Sequence, residues 1–247
     1  MNDLPPELMQ KFTSDAVPGH PNLRPKDAST LILLDRSGPS PKVLMGKRHE
    51  RHTFLPGAFV FPGGSADTDD RRIPVAAPLD PRAEKKLMAR MQKPSADKAR
   101  GLAIAAIRET FEETGLILGA KRGRAEKTLK GPWQAFVEAG ILPDLSSMHF
   151  IARAITPPRR KRRYDTRFFT CDVSAIAHKI DGKVGPEFEL TELAWLPLEG
   201  IKDRIQLLAI SEIVLTDLQK QIDAGFSHDL PVPLYRVVHG KRVRDLL

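Results

Sequence analysis

Apolar residues in the first third of the chain occur in short runs of strand length. Thr30 to Leu34 is an apolar run with β-branched residues, and Val43 to Lys47 follows it across a turn of Gly, Pro and Ser. The two runs predict a β-hairpin. Phe59 to Phe61 predicts a third short strand, which Pro62 and the two glycines after it should end.

The apolar spacing becomes helical near the middle of the chain. Ala99 to Thr114 has the strongest helical pattern, with Ser95 or Asp97 as a suitable N-cap. Gly115 stands where a left-handed C-cap is expected. The sequence therefore predicts a well-bounded helix here.

Residues 65 to 98 separate the third strand from this helix and are rich in Asp, Ala, Pro and basic residues. We interpret them as an insertion with a short helix from Pro81 to Met91. Its acidic stretch, Asp67, Asp69 and Asp70, is interpreted as an ordinary turn, because Asp is a common turn residue. A metal-binding role for this turn is the less favoured alternative.

The remaining patterns predict alternating helices and strands. The predicted helices are Arg124 to Ala139 and residues 203 to 224, and the predicted strands are His149 to Ile155, Thr166 to Val173 and Leu190 to Leu196. Strands interleaved with helices favour the α/β class, with a mixed sheet covered by helices. At 247 residues one domain is expected, covering residues 28 to 247 after an N-terminal arm of residues 1 to 27.

The helix from Ala99 to Thr114 has two different faces. Glu109, Glu112 and Glu113 lie together, because positions three and four apart are neighbours on a helix. Carboxylates at this spacing repel one another, and a hard divalent cation with oxygen ligands would compensate them. A helix that is merely acidic on its solvent side is the alternative. The opposite face predicts the packing surface: Ala103, Ile104, Ile107, Thr110, Phe111 and Thr114.

Composition favours a globular protein, with 41% hydrophobic and 28% charged residues. No stretch approaches the roughly 20 apolar residues of a membrane helix, so no membrane partner is expected. The N-terminal residues lack the basic and apolar pattern of a secretory signal, which predicts a cytoplasmic location. The single cysteine, Cys171, lies in an apolar context and is predicted to be a buried thiol.

The formal net charge of +8 favours anionic partners. Five successive cations, Arg159, Arg160, Lys161, Arg162 and Arg163, account for part of this excess. They form either a solvated basic loop or a phosphate clamp, since guanidinium groups bind phosphate in bidentate fashion. Nucleic acid is possible as a partner but is not favoured, because aromatic residues make up only 6% of the chain and no binding module is recognisable.

Two segments resemble the two halves of the signature of the Nudix hydrolase family. Arg108 to Leu116, which reads Arg-Glu-Thr-Phe-Glu-Glu-Thr-Gly-Leu, resembles the second half, and Phe61-Pro62-Gly63-Gly64 resembles the start of the first. The resemblance implies a Nudix-like α/β/α sandwich with an insertion inside the Nudix box. It also implies hydrolysis of a nucleoside diphosphate linked to another group. This chain departs from the pattern at Arg100, where a Glu is usual.

The same resemblance implies the roles of individual residues. Glu109, Glu112 and Glu113 become ligands of Mg²⁺ or Mn²⁺, and Gly63 can add its carbonyl. Arg108 becomes an orienting partner, and Glu109 can help to deprotonate water. Many members of the family add one more carboxylate from a loop outside the box, and the acidic stretch Glu187, Glu189 and Glu192 is the candidate region here, although a surface role is favoured for any one of the three.

The long insertion, with Phe54 to Gly64 and Arg163 to Phe169, resembles the Nudix subgroup that contains the peroxisomal coenzyme A diphosphatase. This implies a small-molecule, nucleotide-derived diphosphate as substrate, including coenzyme A or acyl-coenzyme A. The arginines at 159, 160, 162 and 163 are then predicted to bind its phosphates. The alternative is a catalytically weakened Nudix-fold binding module for RNA or another phosphorylated ligand, as Arg100 and the basic run suggest.

Overall fold

The computed structural model describes residues 20–51, 56–123 and 129–247. The predicted N-terminal hairpin is confirmed: strand β1 (Lys26–Asp35) pairs antiparallel with β2 (Lys42–Arg48), with Leu34 opposite Val43. Most of the predicted N-terminal arm lies outside the described residues.

A mixed nine-stranded sheet forms the centre of the molecule. Its main order is β11-β2-β1-β9-β8-β12-β13, with β3 paired to β2 and β4 paired to β1. β1 runs parallel to β9, whereas β8 and β9 are antiparallel. The remaining sheet strands are β3 (Phe59–Val60), β4 (Gly63–Ser65), β8 (His149–Ile155), β9 (Tyr164–Asp172), β11 (Leu190–Pro197), β12 (Pro233–Val238) and β13 (Lys241–Leu246). The predicted mixed sheet is thus confirmed.

Helices cover both faces of this sheet, and alternate residues of β1 are therefore buried on opposite sides. Leu31 and Leu33 pack in one core cluster with the long helix α2 (Ala96–Thr114). Ile32 and Leu34 pack in a second cluster with α5 (Ala209–Asp223). The architecture is the expected α/β/α sandwich, with the two cores separated by the sheet.

Smaller elements complete the described chain. They are a 3₁₀ turn (Asp69–Arg72), α1 (Pro81–Met88), β5 (Leu116–Leu118), β6 (Ala120–Lys121), α3 (Trp133–Glu138), β7 (Ile141–Leu142), a second 3₁₀ turn (Val173–Ala175), β10 (Ile176–Lys179) and α4 (Ile201–Arg204). β5 pairs with β10, and β6 pairs with β7. No helix in the described ranges is long and apolar enough to cross a membrane.

The ends of α2 follow from its sequence. Ser95 is the N-cap, and its side chain accepts a hydrogen bond from the backbone N–H of Lys98 at 3.1 Å. Gly115 ends the helix with φ 76°, a left-handed conformation that glycine adopts without a Cβ penalty. Both predicted caps are therefore present, and they fix the length of the helix that carries the glutamates.

Three predicted boundaries are wrong. The third strand stops before Pro62, as predicted, but it ends at Val60 rather than Phe61, and Gly63 and Gly64 belong to a further strand, β4, which pairs with β1 through Ser29 and Thr30. The predicted helix at 203 to 224 is divided into α4 and α5, because the backbone is extended at Ile205. The helix predicted at Arg124 to Ala139 is described only as the short α3, and residues 124 to 128 lie outside the described residues.

Candidate functional site

The C-terminal half of α2 brings a guanidinium and three carboxylates together. Arg108 Nη1 donates to Glu109 Oε1 and to Glu112 Oε2, both at 2.8 Å. The Arg108 side chain is only 9% exposed, whereas that of Glu112 is 38% exposed. Arg108 is thus buried beneath the two carboxylates that it holds, and Glu112 is the one that reaches the solvent.

Asp70, in the 3₁₀ turn of the insertion, is the main partner of Arg108. Its carboxylate accepts hydrogen bonds from Arg108 Nε at 2.9 Å and from Nη2 at 3.2 Å, and the side chain is buried. Nη2 also donates to the Ser65 carbonyl at 2.8 Å. Burial alone would lower the pKa of Arg108, but the hydrogen bonds and charges of Asp70, Glu109 and Glu112 outweigh it and raise that pKa. The interpretation of Asp70 as an ordinary turn residue is therefore incomplete.

Glu113, on the same helix, lies close to further carboxylates. Burial, followed by the charges of Glu189 and Glu109, raises its pKa well above the usual value. A hydrogen bond from the Gly63 backbone N–H and the charge of Arg48 oppose that rise. Of the three candidates predicted for an additional carboxylate, Glu189 is the one whose charge acts on Glu113. Glu189 also pairs with Arg48 at 2.9 Å.

Glu109 is crowded from the opposite side by strand β4. A Cβ atom added to Gly64 would lie 2.5 Å from the Glu109 carboxyl carbon. Burial raises the pKa of Glu109; the Arg108 charge and hydrogen bond oppose this, and the charges of Glu112 and Asp70 reinforce it. Gly64 therefore lets β4 approach the Glu109 carboxylate closely, whereas Gly63 lets β4 approach the backbone of β1 at Ser29 and Thr30.

A cleft lies at the end of β2, where basic side chains and one acidic side chain border it. The cavity, of about 330 Å³, is lined by Lys47, Arg48, His49, Glu50, Pro186 and Thr191. Arg48 connects the cleft to the acidic cluster through Glu189. Sequence analysis did not single out these cations. Their only sequence signal is a basic stretch that ends an apolar strand.

The predicted phosphate-binding arginines lie elsewhere. The loop of Arg159, Arg160, Arg162 and Arg163 joins β8 to β9, and the Arg163 carbonyl accepts a hydrogen bond from Lys26 N–H at the start of β1. β4 and the carboxylates lie on the other side of β1. No ion pair within the described ranges joins these arginines to Glu109, Glu112 or Glu113.

The local contacts of the loop are structural in part. Arg163 donates to the Thr156 carbonyl at 3.0 Å and to the Leu23 carbonyl at 2.6 Å. Arg159 borders a separate cleft with Pro157, Pro158 and the β12–β13 hairpin. The loop and β4 thus lie on opposite edges of β1, and phosphate binding by these arginines stays a prediction.

The segment Arg163 to Phe169 owes its pattern to a buried ion network. Arg167, whose side chain is 1% exposed, donates to Asp27 Oδ1 at 2.6 Å and lies 3.3 Å from Asp165 Oδ2. Arg153 donates to both oxygens of Asp165, at 2.8 and 2.7 Å. Lys98 of α2 pairs with Asp27 at 2.9 Å. Through Lys98, this network attaches the N-terminal end of α2, the helix that carries the glutamates, to the sheet.

The donor chemistry of the acidic cluster fits a hard divalent ion. Its groups are carboxylate oxygens, and mutual repulsion contributes to the raised pKa values of Glu109 and Glu113. In the described part of the chain, however, no three Asp, Glu, His or Cys side chains are placed so that they could hold a metal ion together. Glu109 and Glu112 are instead held by Arg108.

Comparison with known proteins connects this site to a family. No family model matches the chain. "Acyl-coenzyme A diphosphatase NUDT19" of Gallus gallus is 30% identical over 213 residues, which cover 62% of this chain and 56% of the relative. Its counterpart of the same name in Xenopus laevis is 26% identical over 210 residues, covering 66% and 54%. The chain spans about half the length of the curated relatives it matches.

A solved structure supports the same relationship. A Nudix hydrolase from Alicyclobacillus acidocaldarius is 27% identical, with a TM-score of 0.53, and the match covers 74% of this chain and 83% of that one. The fold and site define an α/β/α sandwich with a carboxylate-bearing helix packed beside a glycine-lined strand. The fold and the sequence similarity support a place for this chain in the Nudix superfamily, with similarity to the acyl-coenzyme A diphosphatases of chicken and frog.

Proposed function

We propose that this chain is a metal-dependent diphosphatase that hydrolyses a nucleoside diphosphate linked to another group. The observation that carries the proposal is the surplus of carboxylates on α2, where Arg108 meets Asp70, Glu109 and Glu112 while Glu113 lies close by. Like charges crowded at a half-buried site are costly unless a cation binds there. The names of the relatives support the same reaction class.

Glu109, Glu112 and Glu113 would hold Mg²⁺ or Mn²⁺, with the Gly63 carbonyl as a further donor. When bound, the ion polarises a phosphoryl oxygen and lowers the pKa of the attacking water. Glu109 is placed to accept the proton of that water, and its raised pKa favours holding the proton. Lys47 and Arg48 supply positive charge in the adjoining cleft, where they can bind the diphosphate oxygens.

The reaction balances without any other reactant. The water oxygen forms a new bond to one phosphorus, and the bond from that phosphorus to the bridging oxygen breaks. The bridging oxygen leaves with the second phosphate, so two monophosphates result. Cations beside the cleft stabilise the negative charge that develops on the leaving phosphate.

A panel of nucleoside diphosphate derivatives tests the proposal. Turnover should require Mg²⁺ or Mn²⁺ and stop with chelator, and Glu112→Gln should lower it strongly because a ligand charge is lost at nearly constant shape. Glu138→Gln, an exposed position on α3, is the matched control and should have wild-type activity. A wild-type protein that hydrolyses none of the compounds with or without metal, but binds RNA tightly and in a salt-sensitive way, would contradict the hydrolase proposal and favour a binding module.

We further propose that coenzyme A or an acyl derivative is the substrate, cleaved to 3′,5′-ADP and a 4′-phosphopantetheine product. Two relatives carry the name acyl-coenzyme A diphosphatase, and the long insertion supports the likeness. Coenzyme A has a 3′-phosphate in addition to its diphosphate, so a cationic cleft favours it over less charged diphosphates.

Comparison of kcat/KM for coenzyme A and dephospho-coenzyme A locates the phosphate-binding cations. A charge-assisted contact contributes about 1.5 to 3 kcal/mol, so its loss should cost tenfold or more. We expect Lys47→Gln to reduce the preference for coenzyme A. Replacement of Arg159, Arg160, Arg162 and Arg163 by Gln tests the clamp predicted from the sequence, and a small effect would assign recognition to the cleft. Equal use of both compounds by the wild type would contradict the substrate assignment alone.

A further inference from the structure

We propose that Arg100 and Gly101, in the second turn of α2, are positioning residues that hold the insertion where its Asp70 can orient Arg108. Nudix proteins usually have a Glu at the position of Arg100, so the sequence alone suggested a lost carboxylate. Activity readouts of this proposal rest on the proposed diphosphatase function, but binding readouts do not.

Arg100 binds the backbone on the C-terminal side of Asp70. Its guanidinium donates to the Arg71 carbonyl and, at 3.3 Å, to the Ile73 carbonyl. These two carbonyls belong to the residue after Asp70 and to the end of the 3₁₀ turn. Since a guanidinium has several fixed donors, it can hold both acceptors at once and fix the path of the turn.

Gly101 permits the close contact of the turn with α2. A Cβ atom at this position would lie 2.7 Å from Arg71 Cγ and 3.3 Å from Arg71 N, so any side chain would push the turn away from the helix. Glycine costs about 0.5 to 1 kcal/mol relative to alanine inside a helix. Its presence in the middle of the turn's contact surface is explained by this approach rather than by helix stability.

The turn delivers the carboxylate that position 100 could not. Eight residues of helix separate Arg100 from Arg108, which corresponds to about 12 Å along the axis. A carboxylate at position 100 would be out of reach of the Arg108 guanidinium. Asp70 instead binds it in bidentate fashion and leaves Nη1 for Glu109 and Glu112. The chain therefore divides the task between a carboxylate in the insertion and a cation that anchors it.

Mn²⁺ affinity without substrate, measured by electron paramagnetic resonance, is the first readout, and kcat and KM are the second. Arg100→Gln should weaken Mn²⁺ binding about 3- to 10-fold and lower kcat with little change in KM. This is less than the about 10- to 100-fold effect of direct outer partners of metal ligands, because Arg100 acts through Asp70. Arg100→Lys, which keeps one donor, should recover part of the loss. Arg72→Gln, in the same turn but with an 85% exposed side chain, should change neither value.

A double-mutant cycle separates positioning from general stability. Asp70→Asn should weaken Mn²⁺ binding more than Arg100→Gln does, and the double variant should equal Asp70→Asn, because Arg100 acts through Asp70. Gly101→Ala should weaken Mn²⁺ binding even if its melting temperature is unchanged or higher. Additive losses, or wild-type affinity in folded Arg100→Gln and Gly101→Ala, would overturn the inference.

The binding readout distinguishes this inference from the proposed function. If the wild type binds Mn²⁺ but hydrolyses no diphosphate, the diphosphatase proposal fails while the Arg100 and Asp70 variants still test positioning. If hydrolysis is present and Mn²⁺ binding ignores both positions, only the positioning role fails. Wild-type protein that binds no Mn²⁺ would overturn both.

Discussion

Two buried arginines of this protein show how similar side chains serve different ends. Arg108 contacts four carboxylates: it lies 4.0 Å from Asp67 and forms hydrogen bonds with Asp70, Glu109 and Glu112, whose hydrogen bonds and charges raise its pKa despite burial. Arg167 lies in a network where three cations share two carboxylates, Asp27 and Asp165. Burial lowers the pKa of Arg167, and Asp165 opposes that change only in part. One centre has an excess of negative charge, and the other does not.

The difference teaches which centre is built for a ligand. Carboxylates in the Arg167 network are satisfied within the protein: the Asp27 pKa is lowered, because Arg167 and Lys98 outweigh its burial. In the Arg108 centre, burial raises the pKa values of Glu109 and Glu113, and the charges of neighbouring carboxylates raise them further. We therefore expect substitutions in the Arg108 centre to affect activity and those in the Arg167 network to affect stability.

The largest expected effect is on turnover when a surplus carboxylate is removed. Glu113→Gln keeps an oxygen for the Gly63 N–H but loses the charge, and it should lower kcat about 10³-fold, the range found for the loss of one key electrostatic group. Its melting temperature should not fall, since repulsion within the cluster is relieved. A destabilised Glu113→Gln protein with near-normal kcat would invert the comparison.

The Arg167 network should respond in the opposite way. Asp165→Asn removes a charge that both Arg153 and Arg167 share, and breaking such a buried ion pair should lower the free energy of unfolding by about 3 kcal/mol. The kcat of the folded fraction should stay within about threefold of wild type, a small barrier change. Asp181→Asn, whose pair with Lys179 is exposed, should leave the midpoint of urea denaturation close to that of the wild type. Equal losses for both variants would show that the network is not special.

The sequence predicted the acidic centre only in part. The spacing of Glu109, Glu112 and Glu113 was sufficient to predict that they lie together on one helix, because helical periodicity is local and α2 has clear caps. Asp70 was missed because 38 residues separate it from Arg108, and only folding of the insertion brings them together. The same limit applies to Lys47 and Arg48, whose neighbourhood depends on how β2 pairs with β11.

Other differences also arise from long-range contacts. The C-terminal hairpin of β12 and β13 was not predicted, because its alternation of basic and apolar residues is weak and its strands are stabilised by pairing with β8. Arg163 to Phe169 was interpreted through a family resemblance, whereas its arginine at 167 is buried in the ion network. Domain bounds and cytoplasmic location stay predictions.

Geometry at the acidic centre can be changed without changing its charge. Gly64→Ala places a methyl group against the Glu109 carboxylate, which must move because it is the far end of a flexible side chain. We expect kcat/KM to fall about tenfold, or about 1.4 kcal/mol, with a small change in melting temperature. Gly38→Ala, where the added atom meets nothing within 4 Å, is the control. Normal activity in Gly64→Ala would mean that the position of Glu109 is not critical.

The smallest expected effect concerns pH, at a cluster that belongs to neither arginine centre. His149, at the start of β8, stacks on His228 with ring centroids 3.9 Å apart, and Phe226 packs on it at 4.1 Å. Burial, followed by the charges of His228 and Arg36, lowers the pKa of His149 to about 4, with Asp80 opposing. The folded protein therefore keeps this ring neutral in mild acid.

The sign of the pH effect follows from linkage. Between the unfolded pKa of about 6.5 and the folded pKa of about 4, the unfolded chain binds a proton that the folded chain lacks. Stability is thus fully present above the upper value and declines as pH falls through this window. Because the ring is partly exposed, we expect a loss of only about 1 kcal/mol, or a melting temperature lower by about 2 to 4 °C. His149→Phe keeps an aromatic stack but cannot titrate, so its melting temperature should decline less between pH 7.5 and 5 in thermal denaturation. Exposed His178→Gln should keep the wild-type slope. An unchanged slope in His149→Phe would place the acid sensitivity elsewhere and would require testing the two arginine centres as its source.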